Sequence, residues 1–164
     1  MLQLHILQIK LPLCTPLQLK EAVAEVMNAH PSFRTILHRN KDGKVIQTFD
    51  GSLLPPEISS VPREQIEELT DSLHKPFTLF ESPLYRTQII DTGHKLFLYL
   101  DIHHIITDAV SQQNILRDIL SALQGKTLPA DPYRNWLSRI DERDHNGEIT
   151  ALEKQLTDSF GNGK

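Results

Sequence analysis

Cysteine is almost missing from this 164-residue chain, with Cys14 standing alone. One thiol cannot close an internal disulfide, and without a Cys-x-x-Cys pair a structural zinc has no ready ligands. The fold therefore has to rest on an apolar core, and a reducing, cytoplasmic setting is expected. Long apolar runs are missing too. No window approaches the roughly 20 consecutive apolar residues of a membrane helix. Met1-Leu2-Gln3-Leu4-His5 has no basic stretch ahead of an apolar one, so no secretory leader is expected. Nor is there an excess of positive charge: 17 Lys and Arg stand against 21 Asp and Glu, a net charge of −4. That balance gives no electrostatic reason to bind nucleic acid or an anionic membrane.

Hydrophobic residues make up 39% and charged residues 23%, close to the averages for soluble domains and enough for one core at this length. Leu2 to Leu11 carries apolar residues in both strand phases, as a strand buried on two faces, or one with a bulge, would. Thr15-Pro16-Leu17-Gln18 is a helix start, with Thr15 as cap, Pro16 in the first position and Gln18 closing the box. Leu19, Ala22, Val23, Val26 and Met27 follow at helical spacing until Pro31. Phe33–His38 and Lys44–Phe49 read as strands joined through Asp42-Gly43. A Pro- and Ser-rich loop then leads to a modest helix over Arg63–His74 with Ile66, Leu69 and Leu73. Leu84–Ile90 and Lys95–His104 are strands flanking the turn Asp91-Thr92-Gly93-His94. A helix stripe of Leu116, Ile119, Leu120 and Leu123 runs to Gly125. Beyond Thr127 come a linker-like stretch, a short helix around Trp136 and a charged helix from Ile149 to about Phe160. The pattern predicts an α+β fold, a two-layer sandwich of a mixed sheet with helices. Residues 1–127 form the main subdomain and 128–164 a linker and helical extension.

The chemistry concentrates at Leu96-Phe97-Leu98-Tyr99-Leu100-Asp101-Ile102-His103-His104-Ile105-Ile106-Thr107-Asp108. Strand alternation puts Leu96, Leu98, Leu100, Ile102 and His104 in one phase, and Phe97, Tyr99, Asp101 and His103 in the other. An apolar setting would keep His104 a neutral imidazole able to accept a proton. Diverging rings would not share one tetrahedral metal ion. Asp108, or Thr107, is placed to cap the helix that follows.

His-His-x-x-x-Asp after an apolar strand resembles the active-site motif of condensation domains from nonribosomal peptide synthetases, within the chloramphenicol-acetyltransferase-like acyltransferases. The family carries Gly after the Asp, where this chain has Ala109. His30, Arg34 and Thr35 are similar to part of the family's Arg-His-Glu-x-Leu-Arg-Thr-x-Phe box, with Pro31 in place of Glu. Pro76-Phe77-Thr78-Leu79 and Pro83-Leu84-Tyr85-Arg86 resemble its Pro-Phe-Asp-Leu and Pro-Leu-x-Arg segments, and Ser111, Gly125, Leu128-Pro129 and Trp136 fall at its usual offsets. A whole condensation domain has two similar halves with the histidines between them. The opening helix and the second half have no counterpart in this sequence, so the resemblance implies an N-terminal half, a piece of a larger synthetase.

The resemblance implies His104 as the residue that positions or deprotonates an acceptor amine attacking an acyl thioester. His103 is read as structural, and Asp108 as a helix cap joined by an ion pair to Arg34. No cofactor or metal is expected on this chain, since the substrates would ride on phosphopantetheine arms of carrier proteins. The expected partners are the C-terminal half of the same domain, carrier proteins and an adenylation domain in the parent chain. The fragment alone is expected to be inactive. Arg86, Tyr133 and Trp136 are assigned to packing, Ser111 to an exposed first turn, and Cys14 has no nucleophile motif around it. Two alternatives stay open: an epimerization domain or coenzyme-A-dependent acyltransferase half on the same fold, and a non-catalytic scaffold that binds carrier proteins.

Overall fold

In a computed structural model, residues 3–10, 14–128 and Arg139 are described. The chain divides into two units, Met1–Pro129 and Ala130–Lys164. The expected helices around Trp136 and over 149–160, together with Tyr133, lie outside the described residues.

The first unit is organised around a hairpin. Strands β5 (Tyr85–Asp91) and β6 (Lys95–Ile102) pair antiparallel, with Asp91 opposite Leu96 and Tyr85 opposite Ile102. The turn needs Gly93, whose φ of +77° suits a residue without a Cβ. Strand β1 (Gln3–Lys10) pairs antiparallel along the other edge of β6, from Gln3 opposite Ile102 to Lys10 opposite Lys95. Strand β4 (Glu57–Ser60) runs parallel to β5, which completes a mixed sheet in the order β1-β6-β5-β4. Strand β4 lies in the segment expected to be loop. It is a four-residue edge with one apolar residue, Ile58, and only its register with β5 makes it a strand.

One face of the sheet carries the core. Leu96, Leu98, Leu100 and Ile102 of β6 join Tyr85 and Ile89 of β5, all buried. Against them pack Leu19, Val23, Val26 and Met27 of α1 (Pro16–Ala29) and Ile115 and Ile119 of α3 (Ala109–Leu123). Each fully buried aliphatic side chain contributes on the order of 1.5–3 kcal/mol. The predicted capping box is formed: Gln18 N donates to Thr15 Oγ1 at 3.2 Å, and Thr15 N donates to Gln18 Oε1 at 2.8 Å. The stripe of α3 is rotated from expectation. Gln112, Ile115, Asp118 and Ile119 are buried, whereas Leu120 is exposed. Asp118 points inward because His30, just past the end of α1, meets it at 3.0 Å and ties the two helices together.

A second sheet pairs β2 (Ile36–Arg39) with β3 (Val45–Thr48) through a turn with Gly43 at φ +80°. The expected strand from Phe33 begins late, because Pro31–Arg34 is a 3-10 turn. A second 3-10 turn, Arg63–Gln65, leads into α2 (Ile66–Leu73), in which Thr70 alone is buried. No helix among the described residues is long and apolar enough to cross a membrane.

Candidate active site

Strand β6 ends at Ile102, so both histidines sit in the turn that links it to α3 rather than on the strand. Alternation therefore does not set their directions; local hydrogen bonds do. His103 N–H donates to Leu84 O at 2.9 Å, and its own carbonyl accepts from Ile106 N at 3.1 Å. The His103 ring accepts the Ile105 N–H at Nδ1, 3.1 Å away, so its proton sits on Nε2. Phe77 meets that ring edge to face, with centroids 5.7 Å apart.

His104 is exposed, which corrects the expected apolar setting: the first unit alone leaves this ring open on the described surface. Its Nδ1 lies 3.3 Å from the Thr107 carbonyl. A carbonyl only accepts, so Nδ1 carries the proton and Nε2 of the neutral ring keeps its lone pair. Ile105, next to His104 in the turn, and Val110, in the first turn of α3, are 55% and 65% exposed.

Asp108 caps α3, its Oδ1 accepting Ser111 N–H at 2.7 Å. Hydrogen bonding from the Ser111 side chain, and then from the Ser111 N–H and further backbone donors, holds its carboxyl below the usual carboxylate range. The expected pair with Arg34 is not formed. Asp108 is exposed, and Arg34 closes the 3-10 turn and donates to Asn28 Oδ1 at 2.7 Å. A solvated carboxylate already satisfied by a helix N-terminus has little to gain from a distant guanidinium. The structure thus brings His103, His104 and Asp108 onto one turn and leaves Arg34 elsewhere.

The buried charge pair near the site is a different one. Arg86 on β5 stands opposite Asp101 on β6, and Nη1 donates to Oδ2 at 3.0 Å with Asp101 wholly buried. Removing one partner of such a pair costs on the order of 3–5 kcal/mol. Along the same row the Tyr99 hydroxyl is pushed up to about 12, first by burial and then by the Asp101 charge. Arg86 is more than packing, and the hairpin turn signals why: once residues 91–94 set the register, Arg86 and Asp101 must face each other. Cys14 is buried, which pushes its thiol up and away from nucleophilic use.

Among the described residues no group of three or more His, Cys, Asp or Glu is arranged to hold a metal ion. The family model of the condensation domain matches residues 2–155, a span that includes this whole turn. The chain belongs to the condensation-domain family. FR901469 synthetase of Dothideomycetidae sp. (strain 11243) is 32% identical over 142 residues, or 84% of this chain, and Tyrocidine synthase 2 of Brevibacillus parabrevis is 29% identical over 141 residues, or 85%. The chain covers 1% and 4% of these two synthetases. Among solved structures, the starter condensation domain of the rhizomide synthetase RzmA aligns with a TM-score of 0.70 at 15% identity, over 94% of this chain and 39% of that one. VibH, a condensation enzyme of a nonribosomal peptide synthetase, gives 0.70 at 17% identity, over 98% and 40%. At those identities the likeness is one of fold, and it bears out the expected acetyltransferase-like α+β architecture.

Proposed function

We propose that this chain is the N-terminal half of a peptide-synthetase condensation domain and that His104 is its acting residue. In this reading Nε2 of His104 orients the amine of the acceptor and takes a proton from it as nitrogen attacks the thioester carbonyl of the donor. The new C–N bond forms, the C–S bond breaks, and the departing sulfur leaves as a thiol with the proton returned by the imidazolium. Donor and acceptor arrive on phosphopantetheine arms of carrier proteins, which are handles of the substrates rather than groups held by this chain. His103 shapes the turn, and Asp108 starts α3. The C-terminal half of the same domain covers Ile105, Val110 and His104. Carrier proteins and an adenylation domain complete the synthetase, which works in the cytoplasm. Residues 1–127 supply this half, and 128–164 act as linker and extension.

The observation that carries the reading is the exposed His104 ring, its Nδ1 3.3 Å from Thr107 O and its Nε2 without a hydrogen-bond partner among the described residues. The test joins this chain to a condensation-domain C-terminal half and supplies loaded carrier proteins. Amide formation is expected from the joined protein and not from the chain alone, with His104→Ala lowering the rate by about 10²–10⁴ at unchanged melting temperature. Amide formation surviving His104→Ala would defeat the assignment. Carrier binding without turnover would favour the scaffold.

A further inference from the structure

The segment between α2 and β5 is held at both ends without being part of either sheet. At its start, Arg86 donates to the carbonyls of Lys75 and Pro76, the latter at 2.9 Å, and lays its guanidinium 3.9 Å over the Phe77 ring. Asp101 fixes Arg86 from below. At its end, Glu81 N donates to Leu37 O at 3.0 Å, and its carboxylate meets His38 Nδ1 at 2.8 Å. Glu81 holds a φ of +57°, a left-handed conformation that a residue with a Cβ resists unless its surroundings impose it. Phe80 in the same segment lies under Arg39, 4.9 Å from the ring centroid. So many ties make the segment a fixed support. The part of it that reaches the histidine turn is Phe77, through its edge-to-face contact with His103. His103 in turn accepts the Ile105 N–H and receives Ile106 N–H at its carbonyl, the bonds that shape the turn carrying His104.

We propose that Phe77 and Arg86 are positioning residues for His104: Arg86, anchored on Asp101, holds Phe77 against His103, and His103 sets the turn that keeps the His104 ring bonded to Thr107 O. Neither residue touches substrate. The inference rests on the reading of His104 as the acting residue, yet it is tested without turnover. The protonated nitrogen of each imidazole is read in the full chain by two-bond nitrogen–proton correlation spectra, above the pH where the rings titrate. His104 in the wild type is expected as a single Nδ1–H tautomer. Phe77→Leu keeps apolar bulk and leaves Arg86 on Asp101. It is expected to lose the single tautomer and give an averaged one, with the amide spectrum of the folded chain retained, and Phe77→Tyr is expected to restore it. A merely structural Phe77 would change melting and not the tautomer. A wild-type pattern in Phe77→Leu overturns the proposal, as does an averaged His104 in the wild type. If Phe77→Leu does not fold, Arg86→Lys decides. It keeps a cation opposite Asp101 but cannot stack flat while bonding two carbonyls, and an unchanged His104 tautomer there overturns the proposal too. A wild-type chain with the Nδ1–H tautomer that makes no amide once joined to the second half counts against the function and leaves the brace standing.

Discussion

At the scale of single residues, Asp108 shows how position decides what a charge does. It is exposed and caps α3 through Ser111 N–H, so its removal leaves no stranded partner in the core. Asp108→Ala is therefore expected to loosen the start of α3 without the sharp loss that a broken buried pair would bring. Its carboxyl is held below the usual range by the cap. A depressed folded-state value means that the contribution is fully present above the unfolded carboxylate value, about 3.9. It is lost as pH falls through the folded-state value. Melting followed from about pH 6 to about pH 3 should show wild type dropping toward Asp108→Ala. Asp108→Asn, a good uncharged cap, should lack that acid-sensitive component. Parallel curves for all three proteins would show that the cap carries no such linkage.

At the scale of elements, a close approach of backbones sets where β2 begins. Gly51 N donates to Arg34 O at 3.0 Å, and a Cβ on Gly51 would lie 2.8 Å from that oxygen and 2.9 Å from Ile36 Cγ1. The first of these is backbone and cannot swing away. Gly51→Ala is expected to push the Gly51 segment away from Arg34 and Ile36, at about 1–3 kcal/mol of stability by analogy with overpacked sites. Denaturant unfolding measures it, and a wild-type midpoint would show that the segment yields freely. Arg34 is thus held twice, its carbonyl by Gly51 N–H and its guanidinium by Asn28 Oδ1.

At the scale of the whole molecule, the open face around His104 matters most. Ile105 and Val110 are exposed in this chain, and surface changes at such positions usually stay within about 0.5 kcal/mol. Ile105→Ser and Val110→Ser are therefore expected to leave the melting temperature of the chain unchanged. If the C-terminal half covers this face, both should weaken its association with a separately supplied half. Equal affinity for wild type and both variants would place that half elsewhere.

The amino-acid sequence by itself determined the local pieces: the Thr15 box, the apolar periods of α1 and β6, the Gly43 and Gly93 turns and the Asp108 cap. Each depends on residues within a few positions of one another, where backbone sterics and alternation act directly. It also carried the His-His-x-x-x-Asp pattern, at residues 103–108, on which the resemblance to the family was read. Tertiary structure alone decided what depends on distant segments meeting: β4 as a parallel edge, His30 with Asp118, and the exposure of His104. It also chose Arg86 rather than Arg34 as the cation paired with a buried carboxylate, Asp101, beside the site. The physical reason is that burial and ion pairing depend on which surfaces come together, and periodicity within one segment does not specify its neighbour.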